Sequence, residues 1–154
     1  MTSLKKLTGL PVVIKGQPMG RVEAGVLSPS GDRLLGLIIR SGLRGAKWIP
    51  EDQIMDLGGV CVLAQGLPQR LPRQQTPQPG PVWDPSGLRL GVVADVHLNH
   101  LRVKALEISL GPWDDWRFGR MVTRTFALRQ EEGVMKVLTP LASLMGKEEL
   151  HEPW

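Results

Sequence analysis

The residues best suited to recognition chemistry are cations and tryptophans, and they occur in two loops. The first loop carries Arg40, Arg44, Lys47 and Trp48. The second loop and the residues after it carry Trp113, Trp116, Arg117, Arg120 and Arg124. Tryptophan and arginine are enriched where interfaces gain most of their energy, and aromatic rings beside cations also suit single-stranded RNA. These nine residues are therefore the candidate partner-binding residues.

The three tryptophans of these loops have a second interpretation. Trp48, Trp113 and Trp116 could instead fill the ends of a β-barrel, because a large ring with one polar atom suits a position between core and solvent. The sequence alone leaves both interpretations open.

No arrangement typical of catalysis or metal binding is apparent in the sequence. His97 and His100 are three positions apart, and His151 is the only other histidine. Zinc sites need three or four convergent ligands, so we expect no metal site and interpret His97 as a partly exposed strand residue. Nucleophile-elbow, phosphate-loop and dinucleotide motifs are missing as well. We therefore expect neither an enzyme nor a cofactor.

Composition narrows the class of protein further. The 154 residues carry a net charge of +4, which would help an approach to RNA or to an acidic protein surface. Cys61 is the single cysteine, and its apolar neighbours predict a buried, inert thiol. The sequence has no apolar run long enough to span a membrane and no secretory signal core behind its first lysines. The expectation is a cytoplasmic protein.

A pattern of glycines occurs twice in the chain. Gly16 and Gly20 return as Gly87 and Gly91, each 71 positions later (87 minus 16 and 91 minus 20). A strand-like run follows the second glycine in both copies. The repeat is too long for a solenoid unit and suits a small domain, so it predicts two related β-domains in tandem.

The predicted boundaries follow from composition. We expect a first domain over 1–66, a Pro/Gln-rich linker over 67–81, a divergent second domain over 82–140, and a C-terminal helix and tail over 141–154. Thr139 would cap that helix, and Pro140 would be its first residue.

The two copies disagree about which side of one strand is buried. The apolar alternation Val92, Ala94, Val96 and Leu98 aligns with Arg21, Glu23, Gly25 and Leu27. A shift of one residue exchanges the two faces of a strand. Either a bulge near Gly25 restores the parity, or Val93 also lies inside.

Several short motifs in the first copy resemble the PRC-barrel family, known from the photosynthetic reaction centre H subunit and the bacterial ribosome-maturation factor. The motifs are Gly9-Leu10-Pro11-Val12, Gly16–Gly20, Gly31-Asp32 and Ile49-Pro50-Glu51-Asp52. The second copy matches at Gly80-Pro81-Val82 and Gly87–Gly91, but Gly119-Arg120 replaces its Ile-Pro step. The resemblance implies an all-β fold, with two small antiparallel PRC-type β-barrels in tandem and a short C-terminal helix.

The same resemblance implies an adaptor, because family members serve in scaffolding and assembly. The expected function is a non-enzymatic module that binds a protein or ribonucleoprotein partner. The alternative is a direct RNA-binding protein of ribosome maturation or RNA metabolism, in which the cations make the contacts: Arg40, Arg44, Lys47, Arg117, Arg120 and Arg124. Since each domain is near the lower size limit for a core, a homodimer also stays open.

Overall fold

The computed structural model describes residues 1–73, 80–131 and 134–146, with the side chains of 130, 131, 134 and 135 left aside. The chain divides into two compact units. One comprises Met1–Thr76 and Leu98–Val103, and the other comprises Pro77–His97 and Lys104–Trp154. Strands dominate both units, which confirms the mostly-β class expected from the alternating apolar pattern.

The first unit has a sheet in the order β5-β4-β3-β2-β7-β6. Its elements are β1 (Thr2–Ser3), α1 (Leu4–Leu7), β2 (Pro11–Ile14), β3 (Gln17–Leu27), β4 (Leu34–Arg40), β5 (Ala46–Pro50), β6 (Ile54–Leu57) and β7 (Val62–Ala64), with 3-10 turns at Gly42–Arg44 and Glu51–Gln53. Neighbouring strands are antiparallel except β2 and β7. The core holds fully buried Val12, Leu34, Leu37, Ile39 and Ile49.

The second unit has a sheet in the order β12-β13-β8-β9-β10-β11-β14. Its elements are β8 (Pro81–Trp83), β9 (Arg89–Asn99), β10 (Arg102–Ser109), α2 (Pro112–Phe118), β11 (Met121–Thr123), β12 (Ala127–Glu131), β13 (Val134–Leu138), a 3-10 turn (Leu141–Ser143) and β14 (Met145–Gly146). The core includes Val82, Leu106, Ile108, Val122 and Val137.

The two sheets share one strand order. The order β5-β4-β3-β2-β7-β6 in the first unit corresponds strand by strand to the order β11-β10-β9-β8-β13-β12 in the second. A parallel pair also falls at the same place on each path, β2 with β7 and β8 with β13. The chain therefore repeats a supersecondary plan as well as a glycine pattern. The parallel pairs depart from the expected purely antiparallel arrangement, and among the described strands the second sheet is not closed into a barrel.

The repeated glycines Gly20 and Gly91 have equivalent surroundings. Gly20 lies opposite Val12 in the sheet, and Gly91 lies opposite Val82. A Cβ atom on Gly20 would lie 2.8 Å from the carbonyl oxygen of Arg40, and one on Gly91 would collide with the carbonyl of Ser109. Since both carbonyls end the neighbouring strand, only glycine allows the two backbones to approach this closely.

A β-bulge settles the parity conflict in the first copy. The register of β3 against β4 shifts between Val22 and Ala24 and again between Val26 and Leu27, on either side of the expected position at Gly25, and the first shift inserts one residue into β3. The extra residue moves the later side chains of β3 to the opposite face. In β9 the prediction that Val92 lies on the buried face is wrong, since Val92 is 41% exposed. Its neighbour Val93 is half-buried.

The predicted C-terminal helix is wrong over the part that the structure describes. A single 3-10 turn, Leu141–Ser143, is followed by β14, which pairs with β11. Thr139 does not cap a helix, because its buried hydroxyl donates to the carbonyl of Thr125 at 2.6 Å. Pairing with β11 provides hydrogen-bond partners for the backbone of this segment, whereas a short isolated helix would be only marginally stable. The tail after Gly146 and residues 74–79 of the predicted linker lie outside the described residues.

Two further expectations concern single features. Cys61 is half-buried rather than buried, because it lies in the turn before β7 and its carbonyl accepts the Gly58 amide. Among the residues that the structure describes, no helix is both long and apolar enough to cross a membrane.

Candidate interaction surface

The second of the two predicted loops forms the helix α2, which carries Trp113, Trp116 and Phe118. Pro112 is placed at its first turn and Asp114 and Asp115 follow, where acids favour the helix dipole. The helix ends at Gly119, whose positive φ of 74° suits glycine and whose amide donates to the Asp115 carbonyl at 2.9 Å. The predicted loop is therefore a capped helix of two turns.

Asp115 attaches this helix to the sheet. Its Oδ2 accepts a 2.6 Å hydrogen bond from Ser109 Oγ, and its Oδ1 accepts the Leu110 amide at 3.1 Å. Arg120 Nε lies 3.6 Å from the same carboxylate. These contacts, the Ser109 hydroxyl first, hold the pKa of Asp115 below its ordinary value. The helix is thus anchored by an ionised carboxylate.

The other side chains of α2 are exposed, and three of them are aromatic. Trp113, Trp116 and Phe118 are 82%, 83% and 65% exposed, and we call these three residues the aromatic surface. The Arg117 guanidinium lies 5.4 Å from the centre of the Phe118 ring. A helix on a protein surface usually buries its apolar side, whereas α2 turns its half-buried Asp115 toward the sheet and exposes its rings. Large exposed apolar side chains brought together on one short helix are candidates for an interaction site.

This exposure decides between the two interpretations of the tryptophans. Trp113 and Trp116 do not fill a barrel end, since most of each ring is in contact with solvent. Trp48 is different, because it is half-buried and its ring packs over Gly36, where a Cβ would lie 2.5 Å from the indole. Its backbone also exchanges hydrogen bonds with Gln69 at 2.7 and 2.8 Å. Trp48 is therefore a packing residue.

The remaining cations of the second unit have separate environments. Arg117 lies beside Phe118 of the aromatic surface, whereas Arg120 contacts Glu107 of β10 and Asp115 of α2. Arg124 is exposed after β11 and lines a cavity together with Thr125 and the segment 142–146. Of these three arginines, Arg117 is the one seen in contact with an exposed ring.

The cations of the first unit lie around the end of β4. Arg40 forms an exposed ion pair with Glu23 at 3.1 Å. Arg44 is exposed in a 3-10 turn next to Leu43, which is fully exposed, and Lys47 is exposed on β5 opposite Ile39. The three cations are therefore accompanied by one exposed apolar side chain, that of Leu43. The ring of Trp48 is half-buried and is not part of this surface.

A group of polar side chains in the interior of β9 and β10 was not predicted as a site. Glu107 is 1% exposed, and its Oε2 lies 3.0 Å from His97 Nε2 while its Oε1 lies 3.3 Å from Arg120 Nη1. Asp95 offers a carboxylate oxygen within 4.8 Å of the ligand atoms of His97 and Glu107. We call Asp95, His97 and Glu107 the polar cluster. The His97 side chain is 11% exposed, which is the low end of the partial exposure expected for it.

A signal for the polar cluster was present in the sequence. Asp95 and His97 are polar residues two positions apart inside an apolar strand, and such a pair shares one face. Glu107 gave a similar signal between Leu106 and Ile108. The sequence could not show that the two strands bring these side chains together.

Comparison of the chain with models of protein families and with curated proteins finds no match. Function is therefore inferred from the residues themselves. The aromatic surface offers a means of binding a partner, and the polar cluster offers ligand atoms.

Proposed function

We propose that the chain is a non-enzymatic adaptor that binds a protein partner, alone or within a ribonucleoprotein, through the aromatic surface. The observation that carries this proposal is the helix α2, which is attached to the sheet through Asp115 and exposes Trp113, Trp116 and Phe118. The shared strand order of the two units and the resemblance to PRC-barrels, which serve as adaptors, support it.

The partner has an apolar pocket bordered by carboxylates. The pocket receives the exposed indoles, and the carboxylates pair with Arg117 beside them. Burying a tryptophan ring removes about 150–250 Å² from water, a gross gain of about 4–6 kcal/mol at 25 cal/mol per Å². Costs of association reduce this, and central tryptophans in interfaces contribute about 2 kcal/mol or more on truncation. The net charge of +4 assists approach to such an acidic rim.

Direct RNA binding is the competing function. Its six cations divide into three in each unit, and Arg40 and Arg120 already pair with Glu23 and Glu107. The exposed indoles could stack on bases, so RNA is an outcome that the experiment must distinguish. Binding through phosphates weakens steeply with salt, whereas burial of apolar surface does not.

The test uses the full chain as bait in lysate of the source cells, with and without RNase, at low and high salt. The captured partner is purified, and its affinity is measured by calorimetry for the native chain and for the double variant Trp113→Ser/Trp116→Ser. Leu43→Ser is the matched control, because it removes an equally exposed apolar side chain from the first unit.

We expect a protein that stays bound after RNase and at high salt, with affinity about 30-fold lower or more for the double variant and unchanged for the control. Equal affinity of the double variant would overturn the proposal. Material that is lost on RNase or salt treatment would favour the RNA-binding function instead.

A further inference from the structure

We propose that Asp95, His97 and Glu107 form a binding site for a divalent transition-metal ion. Asp95 and Glu107 are buried in the second unit and the His97 side chain is 11% exposed, and one ligand atom from each lies within 4.8 Å of the others. This inference does not depend on the aromatic surface. It assigns a ligand to three residues that have no role in the proposed adaptor function.

The strands place the ligands in an arrangement that suits a metal. Asp95 and His97 are two positions apart on β9, so they project from the same face, and Glu107 comes from the adjacent strand β10. Hydrogen-bonded strands hold such side chains on a rigid frame. Pre-positioned ligands lower the cost of assembling a coordination sphere.

The distances agree with coordination. His97 Nε2 and Glu107 Oε2 are 3.0 Å apart. Two ligand atoms at the usual zinc distances of about 2.0–2.2 Å in a tetrahedral site are about 3.4 Å from each other. An ion would replace the hydrogen bond between His97 and Glu107 after small movements of their ends. The Asp95 carboxylate, whose Oδ1 accepts the Val96 amide at 2.8 Å, has an oxygen within 4.8 Å of both ligand atoms and is the third ligand.

Arg120 supports the carboxylate from its other side. Its Nη1 lies 3.3 Å from Glu107 Oε1, so the oxygen nearest His97 is Oε2. Carboxylates that bind metals are themselves commonly held by hydrogen bonds from outside the coordination sphere. The same guanidinium approaches Asp115 at 3.6 Å, which connects the proposed site to the anchor of α2. A divalent ion would also offset the repulsion between the two buried carboxylates.

The donor set selects the kind of metal. One imidazole nitrogen with two carboxylate oxygens suits zinc and manganese, and the absence of a thiolate from the cluster disfavours soft ions. Three protein ligands leave a coordination position for water.

The experiment titrates Zn²⁺ into the chelator-treated full chain and records binding by calorimetry. His97→Gln is the test variant, because its amide can still donate to Glu107 while the metal-binding nitrogen is lost. His100→Asn is the control, since His100 is exposed with a positive φ of 53° that asparagine tolerates. We expect one ion per chain, at least about tenfold weaker binding by His97→Gln, and native binding by the control. Unchanged binding by His97→Gln, or no binding by the native chain, would overturn the proposal.

X-ray absorption of the zinc-loaded native chain provides a second measurement that needs no variant. The proposed site predicts a shell of nitrogen and oxygen atoms with a single imidazole. A sulfur ligand would indicate Cys61, and two imidazoles would indicate His100 or His151; either result would refute the assignment.

Discussion

Ser109 Oγ donates a 2.6 Å hydrogen bond to Asp115 Oδ2 and thereby joins the end of β10 to the middle of α2. A short helix is marginal on its own, so tertiary contacts must hold it in place. In α2 the contact is made by a carboxylate, which leaves the aromatic side chains of the helix in solvent. The orientation of α2 on the sheet therefore accounts both for the contact between Asp115 and Ser109 and for the exposure of the aromatic rings.

Ser109→Ala should loosen α2. The change removes a hydrogen bond to a charged group and should lower the free energy of unfolding by about 1–2 kcal/mol. Tryptophan fluorescence should respond, because Trp113 and Trp116 are on the loosened helix. Chemical denaturation checks the prediction, with Ser41→Ala as control, since the Ser41 side chain makes no capping hydrogen bond. Equal stability of the two variants would contradict it.

The anchor should also depend on pH in a defined direction. Because the pKa of Asp115 is lowered in the folded chain, the fold favours its ionised form. This stabilisation is fully present above the unfolded pKa of about 3.9 and is lost as pH falls through the folded value. The stability difference between the native chain and Ser109→Ala should therefore be largest above about pH 4 and shrink toward pH 2. Unfolding curves across this range test it, and a difference independent of pH would count against the anchor.

Two ion pairs of similar length should differ in stability because one is buried. Glu107 is 1% exposed and contacts Arg120 at 3.3 Å, whereas Glu23 and Arg40 are 3.1 Å apart in solvent. Glu107→Gln should cost about 3 kcal/mol, since it removes the buried charge that faces Arg120 and His97. Glu23→Gln should cost less than about 1 kcal/mol. Urea unfolding in the presence of a chelator measures both, and equal costs would show that burial is not the deciding factor.

The repeated glycines should be intolerant of a methyl group. Gly20→Ala and Gly91→Ala should each lower the free energy of unfolding by about 1–3 kcal/mol, because the new Cβ meets the carbonyl of Arg40 or Ser109. Gly59→Ala is the control, since nothing lies within 4 Å of its Cβ position. Thermal unfolding reports the difference. If the three variants were equally stable, the close strand approach could not explain the repeat.

The exposed tryptophans should contribute little to folding. Trp113→Ser and Trp116→Ser should change the free energy of unfolding by less than about 0.5 kcal/mol each, as expected for exposed positions. Trp48→Ser should cost about 2 kcal/mol or more, because its ring packs over Gly36. Calorimetric unfolding distinguishes these results. A large loss at Trp113 would mean that the ring is buried in solution, which would remove the basis of the aromatic surface.

Much of the fold could be predicted because its signals are local. The repeat of Gly16 to Gly20 at Gly87 to Gly91 and the alternation of apolar residues indicated strands and turns in both halves. The predicted tail helix was wrong for the same reason, since local capping signals at Thr139 and Pro140 compete with a distant strand, β11, that the sequence does not reveal.

The sequence by itself determined the mostly-β class, the duplicated plan and the set of chemically capable residues, because periodicity and residue type act over a few positions. Only the tertiary structure decided which of those residues act together. The meeting of His97 with Glu107 depends on the pairing of β9 with β10, and bulges can change such a register by one residue. The exposure of Trp113 and Trp116 depends on the rotation of α2, which Ser109 sets through Asp115. A tryptophan is compatible with either side of a helix, and the contact made by another residue decides which side it takes.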